Sequence, residues 1–201
     1  MNTLMTLEPM SQSRDIQMFE KQIIPEIVLV TPRRFGDDRG YFQETFREHQ
    51  YAEAGITGPF VQDNHSYSAD QGVIRGLHFQ APPHAQGKLV RCTRGRILDV
   101  ALDIRHGSPT YGHHVSAELS AENGKQLFVP VGFAHGFCTM TPDCEVQYKV
   151  TAYYDGPCDR GLAWDDADLG INWPVGENPP ILSKKDAGQP SLRDMPIYFE
   201  Y

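Results

Sequence analysis

The stretch Arg75-Gly-Leu-His78-Phe-Gln80, followed after a Pro-containing turn by Gln86-Gly-Lys88-Leu-Val, sets one histidine between an arginine and a lysine in β-type sequence. Histidine has an unperturbed pKa of about 6.5, so it can take up and return a proton, and two fixed cations beside it can hold a phosphate or a developing oxyanion. The cluster points to proton transfer on an anionic substrate. A second segment, Pro130-Val-Gly132-Phe-Ala-His135-Gly136-Phe, offers another histidine to the same pocket. Taking a proton from a carbon next to a carbonyl also requires preorganised donors for the enolate oxygen, and Lys88, Arg75 or a tyrosine can provide them. Epimerisation adds a further demand, an acid on the opposite face. Tyr148, in Val146-Gln-Tyr-Lys149, suits that role because a phenol gives up one proton without carrying a permanent charge. Each residue alone also has a plainer reading. A strand histidine is commonly a satisfied interior side chain, an isolated Tyr148 a core or interface tyrosine, and Asp186 an exposed turn or capping acid.

The elements that must position these residues are strands. From Glu26 onward short β-type runs alternate with turn residues: Ile27–Val30, Gly40–Phe46, Phe60–Tyr67, Val73–Phe79, Lys88–Cys92, Arg96–Ile104, His114–Leu119 and Gln126–Val129. Such even spacing favours a double-sheet jelly roll, mainly β with a few short helices. Arg47–Ala54, ahead of Gly55, reads as a helix, and another short one is expected after Leu182-Ser183. Strict alternation along the His78 strand would put Ile74, Gly76, His78 and Gln80 on one face and Arg75, Leu77 and Phe79 on the other. A bulge at Gly76 would bring Arg75 and His78 to the same side, and an interior strand glycine is where such a bend is expected.

The chain has 201 residues, a length that suits one domain over residues 23–201, with residues 1–22 as a polar, Met-rich N-terminal arm of no assigned chemistry. Its 18 basic and 26 acidic side chains give a net charge of −8, which argues against a general nucleic-acid surface and requires any anionic ligand to meet locally clustered cations. No apolar run approaches the roughly 18 residues of a membrane helix, and Met1-Asn-Thr-Leu-Met-Thr-Leu-Glu-Pro lacks the form of a secretory leader, so no membrane association and a cytoplasmic location are expected. Cys92, Cys138, Cys144 and Cys158 show no C-x-x-C spacing and read as reduced structural thiols.

The pattern P-x-G-x-x-H of the second segment resembles the cupin jelly rolls, and His78-Phe79-Gln80 stands where metal cupins have H-x-H. No glutamate follows between Gln80 and Arg96, and a charged Lys88 would oppose a divalent cation, so neither a metal nor another cofactor is expected. His84, in a Pro-rich turn, and the adjacent His113 and His114 do not complete a ligand set.

Taken in order, further segments resemble the dTDP-4-dehydrorhamnose 3,5-epimerase family. They are Phe35-Gly-Asp-Asp-Arg39-Gly40, Phe60-Val-Gln62-Asp-Asn64-His65-Ser66, Leu119-Ser-Ala-Glu-Asn123, Tyr148-Lys149 and Leu182-Ser-x-Lys-Asp186, together with the three segments quoted above. The resemblance runs from about Ile27 to Pro190 and implies a metal-free, cupin-like homodimer that inverts carbons 3 and 5 of a dTDP-4-keto-6-deoxysugar. By it His78 matches the base, Asp186 the carboxylate that orients it, Tyr148 the opposing acid and Lys88 the enolate stabiliser. Phe35, Arg39, Glu44, Gln62, Asn64, Arg75, His135 and Tyr154 match positions that bind the sugar nucleotide, some of them contributed by the partner subunit. Gly156-Pro-Cys158 falls in a loop that does not align with the family pattern. Three other readings stay open: a relative that inverts one carbon only, a non-catalytic sugar-nucleotide-binding cupin, and a metal-dependent dioxygenase.

Overall fold

The computed structural model describes residues 18–201. Most of the expected arm therefore lies outside the described residues. Its last part, Phe19–Lys21, is a strand paired antiparallel with Val28–Val30, so those residues belong to the folded domain.

In chain order the strands are β1 (Phe19–Lys21), β2 (Val28–Val30), β3 (Arg34–Asp37), β4 (Gly40–Gln43), β5 (Gln62–Ser68), β6 (Ile74–Gln80), β7 (Lys88–Arg94), β8 (Arg96–Asp103), β9 (Arg105–His106), β10 (His114–Ser120), β11 (Gln126–Val129), β12 (Phe133–Thr139), β13 (Cys144–Val150), β14 (Asp159–Gly161) and β15 (Phe199–Glu200). The helix α1 spans Glu48–Glu53. One sheet is six-stranded, in the order β1-β2-β11-β7-β13-β5, and a five-stranded sheet faces it in the order β10-β8-β12-β6-β14. This is the expected jelly roll, and several strands match the sequence reading to within a residue or two.

Three apolar layers explain why some strands are buried on both faces. Between the sheets lie Leu29, Val90, Ile97, Phe137 and Val146. The outer side of the five-stranded sheet, carrying Ile74, Leu77, Phe79 and Leu102, is covered by the chain after β14 through Leu162, Leu169, Trp173 and Met195. On the other outer side α1 lays Tyr51 over Val28, Val30, Leu89 and Phe128. All seven residues of β12 are accordingly buried.

Two expectations need correction. The run Gly40–Phe46 does not enter a main sheet: it is a strand only to Gln43 and pairs with β3 in a separate hairpin. The helix expected after Ser183 is a single 3-10 turn, Asp186–Gly188, because the chain turns away at Gln189 in extended conformation.

Candidate active site

One irregularity in β6 organises the site. Opposite β12, His78 pairs with His135 while Arg75 pairs with Phe137, so three steps along β6 match two along β12. The extra residue is the bulge anticipated at Gly76, and it turns Arg75 and His78 toward the same side. Glycine is required there. Its φ is +133°, and a Cβ would stand 2.5 Å from Gly136 Cα and 2.8 Å from the His135 carbonyl oxygen.

His78 then faces the interior, where its Nε2 lies 2.5 Å from Asp186 Oδ1. An ionised carboxylate only accepts, so His78 donates from Nε2 and keeps Nδ1 as its free lone pair. Asp186 reaches this position because the chain before it is tied to the start of β6, Ile181 N–H donating to the Gly72 carbonyl and Ile74 N–H to the Ile181 carbonyl. Burial alone would raise the Asp186 carboxyl. The hydrogen bond and charge of His78, with help from Ser183 and Lys185, outweigh burial and hold it below the usual range.

A cavity of about 190 Å³ opens beside His78, lined by Gln62, Asn64, Gln80, Gln86, Lys88, Tyr148, Tyr154, Asp159 and Lys185 among others. Lys88 is nearly buried and donates from Nζ to the His78 carbonyl at 3.2 Å. Burial lowers its ammonium to about 8, against the opposing pull of Asp159 and Asp99. Tyr148 comes from β13 in the opposite sheet, where it pairs with Asn64 of β5 and Val90 of β7. Burial raises its phenol; Arg75 opposes that and Asp159 adds to it, so the hydroxyl keeps its proton well past neutrality. The imidazole of His78 and the phenol of Tyr148 therefore enter one cavity from two different sheets, the geometry needed to remove a proton on one side of a substrate and return it on the other.

Two glutamines frame the entrance. Gln80 donates from Nε2 to the carbonyls of His84 and Tyr153, at 2.6 and 3.1 Å, and accepts from Asp155 N–H at 2.7 Å. Those bonds occupy the residue that stands at the second H-x-H position. Gln62 accepts from Tyr154 N–H at 3.1 Å and donates to Asn64 Oδ1 at 2.8 Å. Both thus fix the loop that carries Tyr154.

Gln62, Asn64, His78, Lys88, Tyr148 and Tyr154 line this cavity, with Asp186 behind His78. Arg75 shares their side of the sheet but is bonded to Ser68 Oγ and the Tyr67 carbonyl. His135 sits behind the cavity, bonded to Asp99 at 2.8 Å. Phe35, Arg39 and Glu44 do not join the cavity within one chain. Phe35 and Arg39 stand on the β3–β4 hairpin, where Arg39 pairs with Asp37, while Glu44 pairs with Arg47 at 2.7 Å. Among the described residues no three His, Cys, Asp or Glu side chains converge as a metal-ligand set.

The sequence reading missed Asp159 and Lys185, which pair at 2.5 Å on the cavity wall with Tyr154 Oη donating to Asp159 at 3.3 Å. Asp159 follows directly on the Gly156-Pro-Cys158 segment that could not be aligned, and Lys185 was hidden in a lysine pair. Pairing of β14 with β6, Gly161 opposite His78, is what carries Asp159 into the site.

Comparison with known proteins gives a consistent result. The family model described as dTDP-4-dehydrorhamnose 3,5-epimerase matches residues 21–194. A dTDP-4-dehydrorhamnose 3,5-epimerase of Sinorhizobium fredii is 56% identical over 187 residues, covering 93% of this chain and 95% of the relative. Among solved structures, the dTDP-6-deoxy-D-glucose-3,5-epimerase of Legionella pneumophila, in complex with dTDP-4-keto-L-rhamnose, aligns with a TM-score of 0.87 at 42% identity over 91% of this chain and 97% of that one. The dTDP-4-dehydrorhamnose 3,5-epimerase of Bacillus anthracis, with TDP and PPi bound, aligns with a TM-score of 0.79 at 50% identity over 82% of this chain and 93% of that one.

Proposed function

Since the chain belongs to the dTDP-4-dehydrorhamnose 3,5-epimerase family, we propose that it inverts carbons 3 and 5 of dTDP-4-dehydro-6-deoxy-D-glucose, giving dTDP-4-dehydro-L-rhamnose, with the side chains of the cavity in the following roles. His78 Nδ1 takes the proton from a carbon beside the ketone, and the electron pair moves onto the ketone oxygen. The Lys88 ammonium stabilises that oxygen as it becomes negative, and Asp186 stabilises the imidazolium. Tyr148 then delivers a proton to the same carbon from the other face. A second cycle at the other carbon completes the double inversion.

The observation that carries this reading is the opposition of His78, backed by Asp186, and Tyr148 across one cavity. Sugar-nucleotide binding alone needs no such base and acid. The reading extends to a two-fold symmetric homodimer in which Phe35, Arg39 and Glu44 complete the partner's site. Its support is the hairpin that carries Phe35, which leaves Phe35, Tyr41 and Phe42 exposed. The four buried, unpaired thiols are in keeping with the reducing cytoplasm.

Incubation in D2O with dTDP-4-dehydro-6-deoxyglucose, followed by proton NMR of the sugar, tests the reaction. Deuterium at carbons 3 and 5 with an L-configured product is expected. Label and inversion at one carbon would instead select a single-carbon epimerase, and no exchange at either would sink the enolate chemistry.

A further inference from the structure

Behind the cavity lies a second histidine–carboxylate pair that the reaction as described leaves unused. Asp99, in β8, is 0% exposed, and its Oδ1 accepts from His135 Nε2 at 2.8 Å. Its other oxygen, Oδ2, is buried without a hydrogen-bond partner among the described residues. A carboxylate held this way is costly and is retained where its charge has a task. His135 does not cancel that charge. Burial lowers its imidazole more than Asp99 raises it, so it acts as a neutral N–H donor and the full negative charge stays on Asp99.

The cation that feels this charge is Lys88. Its surroundings hold groups from every side: Asp159 of β14, Asp99 of β8, Lys185 ahead of the 3-10 turn, the imidazoles of His78 on β6 and His135 on β12, and the phenol of Tyr148 on β13. Asp159 acts on Lys88 more strongly than Asp99 does, but its Oδ2 is already engaged by Lys185 and Tyr154 on the cavity wall. Asp99 is sealed from solvent and does not line the cavity, so its field is unchanged by what enters.

We propose that Asp99 is a positioning residue whose buried carboxylate holds His135 through one oxygen and, through its remaining charge, keeps Lys88 cationic where the enolate forms. This role rests on the assignment of Lys88 to the enolate oxygen.

Lysine-specific 15N labelling of the substrate-free protein tests it, with the Lys88 signal identified by its loss in Lys88→Arg. Asp99→Asn keeps the shape and removes the charge. It is expected to lower the pH at which Lys88 loses its proton by about one pH unit or more, the scale of a neighbouring opposite charge, which is a tenfold change in the cation-to-amine ratio. An unmoved midpoint in the folded variant overturns the proposal. If the amide variant does not fold, Asp99→Glu decides: a midpoint near that of the wild type upholds the role of charge, and a fall of about one pH unit despite the retained charge overturns it. The titration needs no turnover, so it stands even if the wild type exchanges no substrate protons, a result that would remove the reading of the reaction instead. Where exchange occurs, its alkaline limb is expected to move with the Lys88 midpoint.

Discussion

His78 and Asp186 are 108 positions apart in the chain and 2.5 Å apart in the fold. The carboxylate fixes one tautomer and stabilises the charge that the imidazole acquires, so the two side chains act as a unit. His78→Ala is expected to reduce deuterium exchange by about 10²- to 10⁴-fold, the usual contribution of a general base, while nucleotide binding by calorimetry stays near that of the wild type. Asp186→Asn should fall in the same range with binding again kept. Exchange retained in His78→Ala would remove it as the base.

Tyr148→Phe separates the two halves of each inversion. Loss of the substrate proton to His78 needs no phenol, whereas return from the opposite face does. The variant is expected to wash deuterium into recovered starting sugar while forming little inverted product. Unchanged product yield would assign the acid role to water or another group.

The rate should fall on the alkaline side. Burial brings the Lys88 ammonium down to about 8, so raising the pH through that value removes the positive charge from beside the enolate. Lys88→Arg, whose guanidinium stays charged, should show no such limb even if its maximum is lower. A limb that survives in Lys88→Arg would belong to another group.

Gly76→Ala tests the bulge. The added methyl would meet Gly136 Cα at 2.5 Å and the backbone would keep a φ of +133°. A loss on the order of 3 kcal/mol in denaturant unfolding is expected from overlap and strain together. Near-wild-type stability would mean that β6 can straighten without harm.

Gln80→Leu keeps similar bulk but leaves two carbonyls and one N–H of the loops around His84 and Tyr153–Asp155 without their partner. Destabilisation on the order of 3 kcal/mol is expected, together with a raised KM because Tyr154 stands on the released segment. An unchanged KM would show that the loop is ordered by other contacts.

Much of this was legible along the chain because strands announce themselves by alternation and turns by Gly, Pro and Asn. The bulge at Gly76 followed from a clash between pattern and chemistry, Arg75 and His78 being wanted on one side. What stayed hidden depends on contacts distant in sequence. The hairpin Arg34–Gln43 reads locally like any other strand pair, and nothing in its residues says that it leaves the main sheets. Lys185 and Asp159 look like surface charges until β14 lies against β6. Asp99 did carry a signal, an acid inside the apolar run Arg96-Ile-Leu-Asp-Val-Ala-Leu-Asp-Ile104, which marks a buried carboxylate with a task.

With the base and the acid anchored in different hydrogen-bonded ladders, the gap between them is the thickness of the sandwich. Packed sheets sit about 10 Å apart, which leaves room for one flat ring with a side chain reaching it from each wall. The apolar residues between the sheets, Val146 and Phe137 among them, therefore serve as spacers that gauge the substrate. Repacking them would retune which rings can be inverted without altering any group that handles a proton.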